Sequence, residues 1–224
     1  MLIRHIAHAE FLIETESGYR IVTDPYDETC GYPMPDISAD AVLVSHQHFD
    51  HNAVHTIKGS PRVVDTESIT TLEKDIRVTA LQAWHDDEKG AKRGPTLLFL
   101  LEADGLRVVH LGDLGDDLDE GQKEKLFRPD ILMIPVGGHF TIDAKKAAET
   151  AAALEARVIL PMHYRTKCTE TWPITPVEDF LSLYPRDQVS TGMGCLRVTK
   201  GDLMCQPKIA VFDSCLSSGG GKGE

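Results

Sequence analysis

One segment, Ser45-His46-Gln47-His48-Phe49-Asp50-His51, constrains this chain more than any other. It follows the apolar run Asp40-Ala41-Val42-Leu43-Val44, so it stands where a strand leaves its sheet and the chain turns toward a helix. In extended backbone, residues two apart point the same way, which lets His46 and His48 face one cation. Asp50 then falls at the expected helix N-terminus, where the dipole favours a carboxylate, and His51 follows in the first turn. Four ligand-type side chains within six positions can serve two neighbouring metals. The fold must therefore bring further ligands to this strand end.

Those ligands are expected where other buried-looking strands stop. His85 ends the run Ile76 to Trp84, and Asp113 ends Leu106 to Leu111 in His110-Leu111-Gly112-Asp113. His163 ends Val158 to Leu160 in Pro161-Met162-His163-Tyr164. The first polar group after a buried strand is where site residues collect in layered α/β proteins. Gly112 lets backbone approach closely beside Asp113.

Strand-like runs recur from Leu2 to Phe212, and helical patterns are fewer: Asp50 to Ile57, Thr66 to Lys74, Asp119 to Leu126, Asp143 to Ala156 and Pro176 to Leu183. Thr141 and Asp143 offer capping oxygens to the Ala-rich fourth pattern. This mixture predicts two sheets with helices outside them, a four-layer α/β arrangement. A single domain is expected over residues 1–213, with a flexible low-complexity tail over 214–224.

Charge and composition exclude several function classes. The chain carries 23 Lys+Arg against 35 Asp+Glu, a net charge of −12, which disfavours a phosphate backbone as partner. Its apolar runs, such as Leu97 to Leu101, are far short of the roughly 20 residues a membrane span needs. The N-terminal stretch is too broken for a secretory signal, so a cytoplasmic location is the expectation. Five cysteines form no Cys-x-x-Cys pair, which argues against a disulfide framework or a thiolate zinc site.

His-x-His-x-Asp-His followed by a lone His, a Gly-Asp and a lone His resembles the motif series of the metallo-β-lactamase superfamily. More narrowly, the chain resembles the branch similar to L-ascorbate-6-phosphate lactonase. The narrower likeness rests on His8-Ala9-Glu10-Phe11-Leu12-Ile13-Glu14, Asp24-Pro25, Gly137-Gly138-His139-Phe140-Thr141 and Pro161-Met162-His163-Tyr164. The resemblance implies an αββα sandwich with a dinuclear site in the cleft between the sheets. It also implies that His46, His48 and His85 hold one metal, that Asp50, His51 and His163 hold the other, and that Asp113 bridges them. Seven N/O ligands shared by two ions leave positions for water and substrate, unlike a closed structural zinc site. Imidazole plus carboxylate suits Zn²⁺, with Mn²⁺ and Fe²⁺ also compatible. Oxygen-reducing diiron relatives look like His-x-Glu-x-Asp; His48 in place of that carboxylate favours hydrolysis.

The expected activity is therefore hydrolysis of a small ester, lactone or phosphodiester by a hydroxide held between two metals, with Asp113 and Asp50 as catalytic groups. A nuclease of the same superfamily and a non-catalytic metal sensor are the alternatives. His8 either lines the cleft or is a satisfied core group. His139, in a Gly-rich loop, either stabilises developing charge on a substrate or bonds its own loop. Asp24 is expected to accept from a ligand histidine. Tyr164 and Arg165, beside His163, and Lys92 and Arg93, in the loop after His85, are candidates for holding a phosphate or carboxylate of a small, anionic substrate. Assembly into a homo-oligomer is left open.

Overall fold

The computed structural model describes residues 1–213. The tail expected over 214–224 lies outside the described residues. The first five strands are β1 (Leu2–Ala7), β2 (Glu10–Glu14), β3 (Arg20–Thr23), β4 (Ala41–Leu43) and β5 (Arg62–Val64). The next seven are β6 (Ser68–Glu73), β7 (Ile76–Trp84), β8 (Pro95–Ala103), β9 (Leu106–His110), β10 (Ile131–Pro135), β11 (Val158–Met162) and β12 (Val189–Met193). β13 (Leu196–Arg197) and β14 (Ile209–Phe212) complete the strands among the described residues. The strands form a six-stranded sheet in the order β13-β1-β2-β3-β4-β5 and an eight-stranded sheet in the order β12-β14-β11-β10-β9-β8-β7-β6.

Each sheet changes from antiparallel to parallel pairing along its width. β1, β2 and β3 are joined by hairpins, as are β6 through β9, whereas β3-β4-β5 and β9-β10-β11 are parallel. The parallel strands read as continuous apolar runs because both their faces are covered: every residue of Ile131–Pro135 is buried. Ile3, Phe11, Ile13, Ile21 and Leu43 of the smaller sheet meet Val78, Phe99, Leu101, Met133 and Leu160 of the larger one in the central core.

The outer face of the larger sheet is covered by α1 (Glu120–Leu126), α2 (Ala144–Ala153) and α3 (Val177–Leu181). Asp119 caps α1 in a reciprocal box with Gln122, and Asp143 caps α2 through the Lys146 N–H. The smaller sheet is covered differently. Tyr26, Cys30, Tyr32, Ile37 and Ile57 lie on Leu12, Val22 and Val42, and they come from irregular chain with short 3₁₀ turns.

Two expected helices do not form. Asp50 to Ile57 makes a single turn in which the His51 and Asn52 N–H groups both bond the His48 carbonyl. The Ala53 N–H then donates to Pro25, and only Val54–Thr56 is helical, as a 3₁₀ turn. Asp50 therefore has no helix N-terminus behind it. Thr66 to Lys74 instead contains β6, whose alternating exposure and run Ile69-Thr70-Thr71 suit a half-covered edge strand. It pairs with β7 as a hairpin.

Candidate metal centre

The cluster lies at the strand ends on one edge of the sandwich. His46, His48, Asp50 and His51 follow β4; His85 follows β7; Asp113 follows β9; His163 follows β11. The chain turns sharply at three of the neighbouring strand ends, with His8, Asp24 and His163 at φ of 55°, 39° and 52°. Non-glycine residues adopt this region at a cost, and such strain gathers at functional sites. Gly112 (φ 49°) does the same before Asp113, and a Cβ there would sit 2.6 Å from the Leu97 carbonyl oxygen. Only glycine allows that approach of β9 to β8.

Asp113 is the centre of the cluster. Its Oδ2 is 3.1 Å from His163 Nε2, 3.3 Å from His51 Nε2, 3.4 Å from His85 Nε2 and 3.9 Å from His46 Nε2. Two groups of potential ligand atoms, each within 4.8 Å of one another, flank it: His46, His48 and His85 on one side, and His8, Asp50, His51 and His163 on the other. Asp113 is 2% exposed and His51 is fully enclosed. His51 Nε2 and Asp113 Oδ1 are buried without a hydrogen-bond partner. Orphaned, converging lone-pair donors of this kind are costly unless something else satisfies them, and a cation fits.

A set of bonds behind the cluster fixes its rings. Asp24 Oδ2 accepts from His51 Nδ1 at 3.0 Å and from Ser45 Oγ at 2.7 Å, while Asp24 Oδ1 accepts from the Ser45 N–H at 2.7 Å. Ser45 Oγ also lies 2.9 Å from His46 Nδ1. His51 thus presents Nε2 to the centre. His8 Nε2 donates to Asp50 Oδ2 at 3.2 Å, and the His163 N–H donates to the His8 carbonyl at 3.1 Å.

Electrostatics separate the histidines. Burial, reinforced by the charge of His51, lowers His46 to about 3, and burial also lowers His85, so both rings are neutral at pH 7. Burial and the charge of His163 lower His8 to about 4, which keeps it a neutral donor to Asp50. His51 differs. Burial opposes its charge, but Asp113, Asp50 and Asp24 outweigh burial and raise its pKa well above the ordinary value.

A cavity of about 330 Å³ opens onto the cluster. His48, Asp50, His85, Asp113 and His163 form its floor, and Phe49, Phe140, Trp172 and Arg93 are among its walls. The other residues expected at the substrate are not there. Arg165 is exposed and its backbone bridges to Pro176. Tyr164 is turned into the core behind the larger sheet. Lys92 points outward to Glu88 at 2.7 Å and Asp87 at 3.6 Å. His139 is exposed, because left-handed backbone at Gly138 and His139 presents Phe140 to the cavity instead. Sequence reasoning missed Ser45, Phe49, Phe140 and Trp172. Ser45 and Phe49 lie within the ligand motif and Phe140 beside His139, so each stood next to a residue already singled out, whereas Trp172 had no such neighbour.

Residues 2–163 match a family model described as a beta-lactamase superfamily domain. A UPF0173 metal-dependent hydrolase of Carboxydothermus hydrogenoformans is 31% identical over 206 residues, covering 78% of this chain and 87% of that protein. A protein of the same description from Thermococcus onnurineus is 29% identical over 198 residues, covering 76% and 85%. The crystal structure of a Thermotoga maritima protein, named a Zn-dependent hydrolase of the metallo-beta-lactamase superfamily, is similar with a TM-score of 0.78 and 37% identity, covering 94% of this chain and 97% of that one.

Proposed function

Since the chain belongs to the metallo-beta-lactamase superfamily and is a metal-dependent hydrolase, we propose that it cuts a small ester, lactone or phosphodiester at a centre of two divalent cations. In this reading His46, His48 and His85 hold one cation, Asp50, His51 and His163 the other, and Asp113 lies between them. The observation that supports it is the position of Asp113 Oδ2, within 3.4 Å of imidazole nitrogens from both groups. Zn²⁺ suits this imidazole-rich set, and the similar Thermotoga protein is named for zinc.

When bound, such cations supply Lewis-acid polarisation of the scissile group and a water acidic enough to attack near neutral pH. The chain's own residues do the rest. Asp24 holds the proton on His51 Nδ1, so that Nε2 is the free nitrogen. His8 donates its N–H to Asp50 Oδ2, which orients that carboxylate within its group of ligands. Phe49, Phe140 and Trp172 give the cavity over the cluster an apolar wall.

The test joins metal counting to turnover. Protein saturated with Zn²⁺ or Mn²⁺ should contain about two ions per chain and hydrolyse at least one of an aryl ester, a lactone and an aryl phosphodiester. Asp113→Asn should drop occupancy to one ion or fewer. Its turnover should fall by at least about 100-fold, because even residues that merely orient ligands cost 10–100-fold. A single ion per chain in the saturated wild type would sink the dinuclear reading. Silence of the loaded protein across all three substrate types would sink the hydrolytic one.

A further inference from the structure

The cavity over the cluster has a distinct chemistry. Phe49 is 49% exposed although it sits between two proposed ligands, and its ring meets Trp172 edge-on at 6.4 Å. Trp172 also packs edge-on against His8 at 5.3 Å, so its position is tied to the cluster. Phe140, which lines the same cavity, carries the Arg93 guanidinium over its face at 5.5 Å. An open apolar patch that ends at a polar floor marks a place where another apolar surface docks.

Arg93 supplies the remaining feature. The chain bears a net charge of −12, and Lys92, its neighbour, is neutralised by Glu88 and Asp87. Among the described residues, no carboxylate lies within ion-pair distance of the Arg93 guanidinium. The backbone beneath it is fixed independently of the side chain. Asp86 accepts the N–H groups of Glu88, Gly90, Lys92 and Arg93 at 2.7–2.9 Å. A half-buried arginine held in place, stacked on an aromatic ring and lacking a counter-ion is suited to a carboxylate or phosphate from outside.

We propose that the substrate is a single-ring-sized aromatic or flat apolar molecule that carries a fixed anionic group away from the bond that is cut. Its ring is seated among Phe49, Phe140 and Trp172, and its anion pairs with Arg93. This rests on the hydrolase reading above and narrows it. Of the four basic and phenolic candidates near the ligands, only Arg93 lines the cavity. The cavity's 330 Å³ lies at the small end of ligand sites, which fits a compact molecule.

Equilibrium binding tests this apart from turnover. The probes are terephthalate, 4-carbamoylbenzoate and fumarate, titrated calorimetrically into metal-saturated protein. Terephthalate and 4-carbamoylbenzoate share a ring and one carboxylate, so their difference reports the second charge. Wild type should bind terephthalate about tenfold more tightly than 4-carbamoylbenzoate, and both rings more tightly than fumarate. Arg93→Ala should erase the tenfold preference with the metal count unchanged, and Arg93→Lys should keep part of it. Trp172→Ala should weaken the two ring compounds and leave fumarate alone. The proposal fails if wild type ignores the second carboxylate, if the preference survives Arg93→Ala, or if fumarate binds as well as terephthalate. Absence of hydrolysis with the binding pattern intact would instead count against the reaction class alone.

Discussion

Glu10 is fully buried two residues beyond His8, with Oε1 unpartnered and Oε2 receiving only a long bond of 3.4 Å from the Tyr26 N–H. Burial raises its pKa from the ordinary 4.5 to about 8; the Tyr26 N–H opposes this and the charge of Asp24 adds to it. Between those two values the native chain keeps a proton that the unfolded chain has released. The unfolded state then binds fewer protons, so stability falls as pH rises from about 4.5 to about 8. At about 1.36 kcal/mol per pH unit, the cost by pH 8 is on the order of 5 kcal/mol. Glu10→Gln, neutral at every pH, should lose this dependence. Urea unfolding at fixed metal saturation should show the variant gaining on wild type steadily from pH 5 to pH 8. A constant difference across that range would mean that Glu10 is ionised in the folded chain.

At the scale of elements, the loop between β7 and β8 is an organised support. Asp86 receives four backbone N–H groups, which outweigh its own desolvation and lower its pKa to about 2. Asp86→Ala should free those amides. Hydrogen exchange at Glu88, Gly90, Lys92 and Arg93 should accelerate at least tenfold, while α2 amides stay protected. Unchanged protection would show that the loop is held by other contacts. This loop also shows what the sequence could and could not disclose. Histidines and aspartates after strands are legible because ligation demands particular side chains at strand ends. Lys92 and Arg93 are equivalent in sequence, and only the Asp86 turn decides that Arg93 reaches the cavity. Likewise Thr66 to Lys74 could be read as helix, because the pairing that makes β6 a strand comes from β7. The cover of the smaller sheet was illegible for a related reason: irregular chain buries Tyr26, Tyr32 and Ile37 without any period.

At the scale of the whole molecule, the cluster is a junction between the two sheets. His46, His48, Asp50 and His51 leave the six-stranded sheet, whereas His85, Asp113 and His163 leave the eight-stranded one. Any cation held by both sets binds the folded chain and not the unfolded one, so it stabilises the sandwich. At a free concentration of about 1,000 Kd the gain is about 4.1 kcal/mol. For a chain of this size, about 2–4 °C of Tm per kcal/mol converts that to roughly 8–16 °C. The buried carboxylates also have an alternative partner, because Asp113, Asp50 and Asp24 together hold a proton on His51. Protons and cations then compete for one cluster, and acid favours the proton. The Tm difference between metal-saturated and chelated protein should therefore be larger at pH 8 than at pH 6 and shrink steadily as the pH falls between them. Scanning calorimetry in both states at several pH values measures it. Equal Tm values at pH 8 would show that the two sheets are held together without help from this centre, and a gap that widens on acidification would show that protons do not compete with the cations for it.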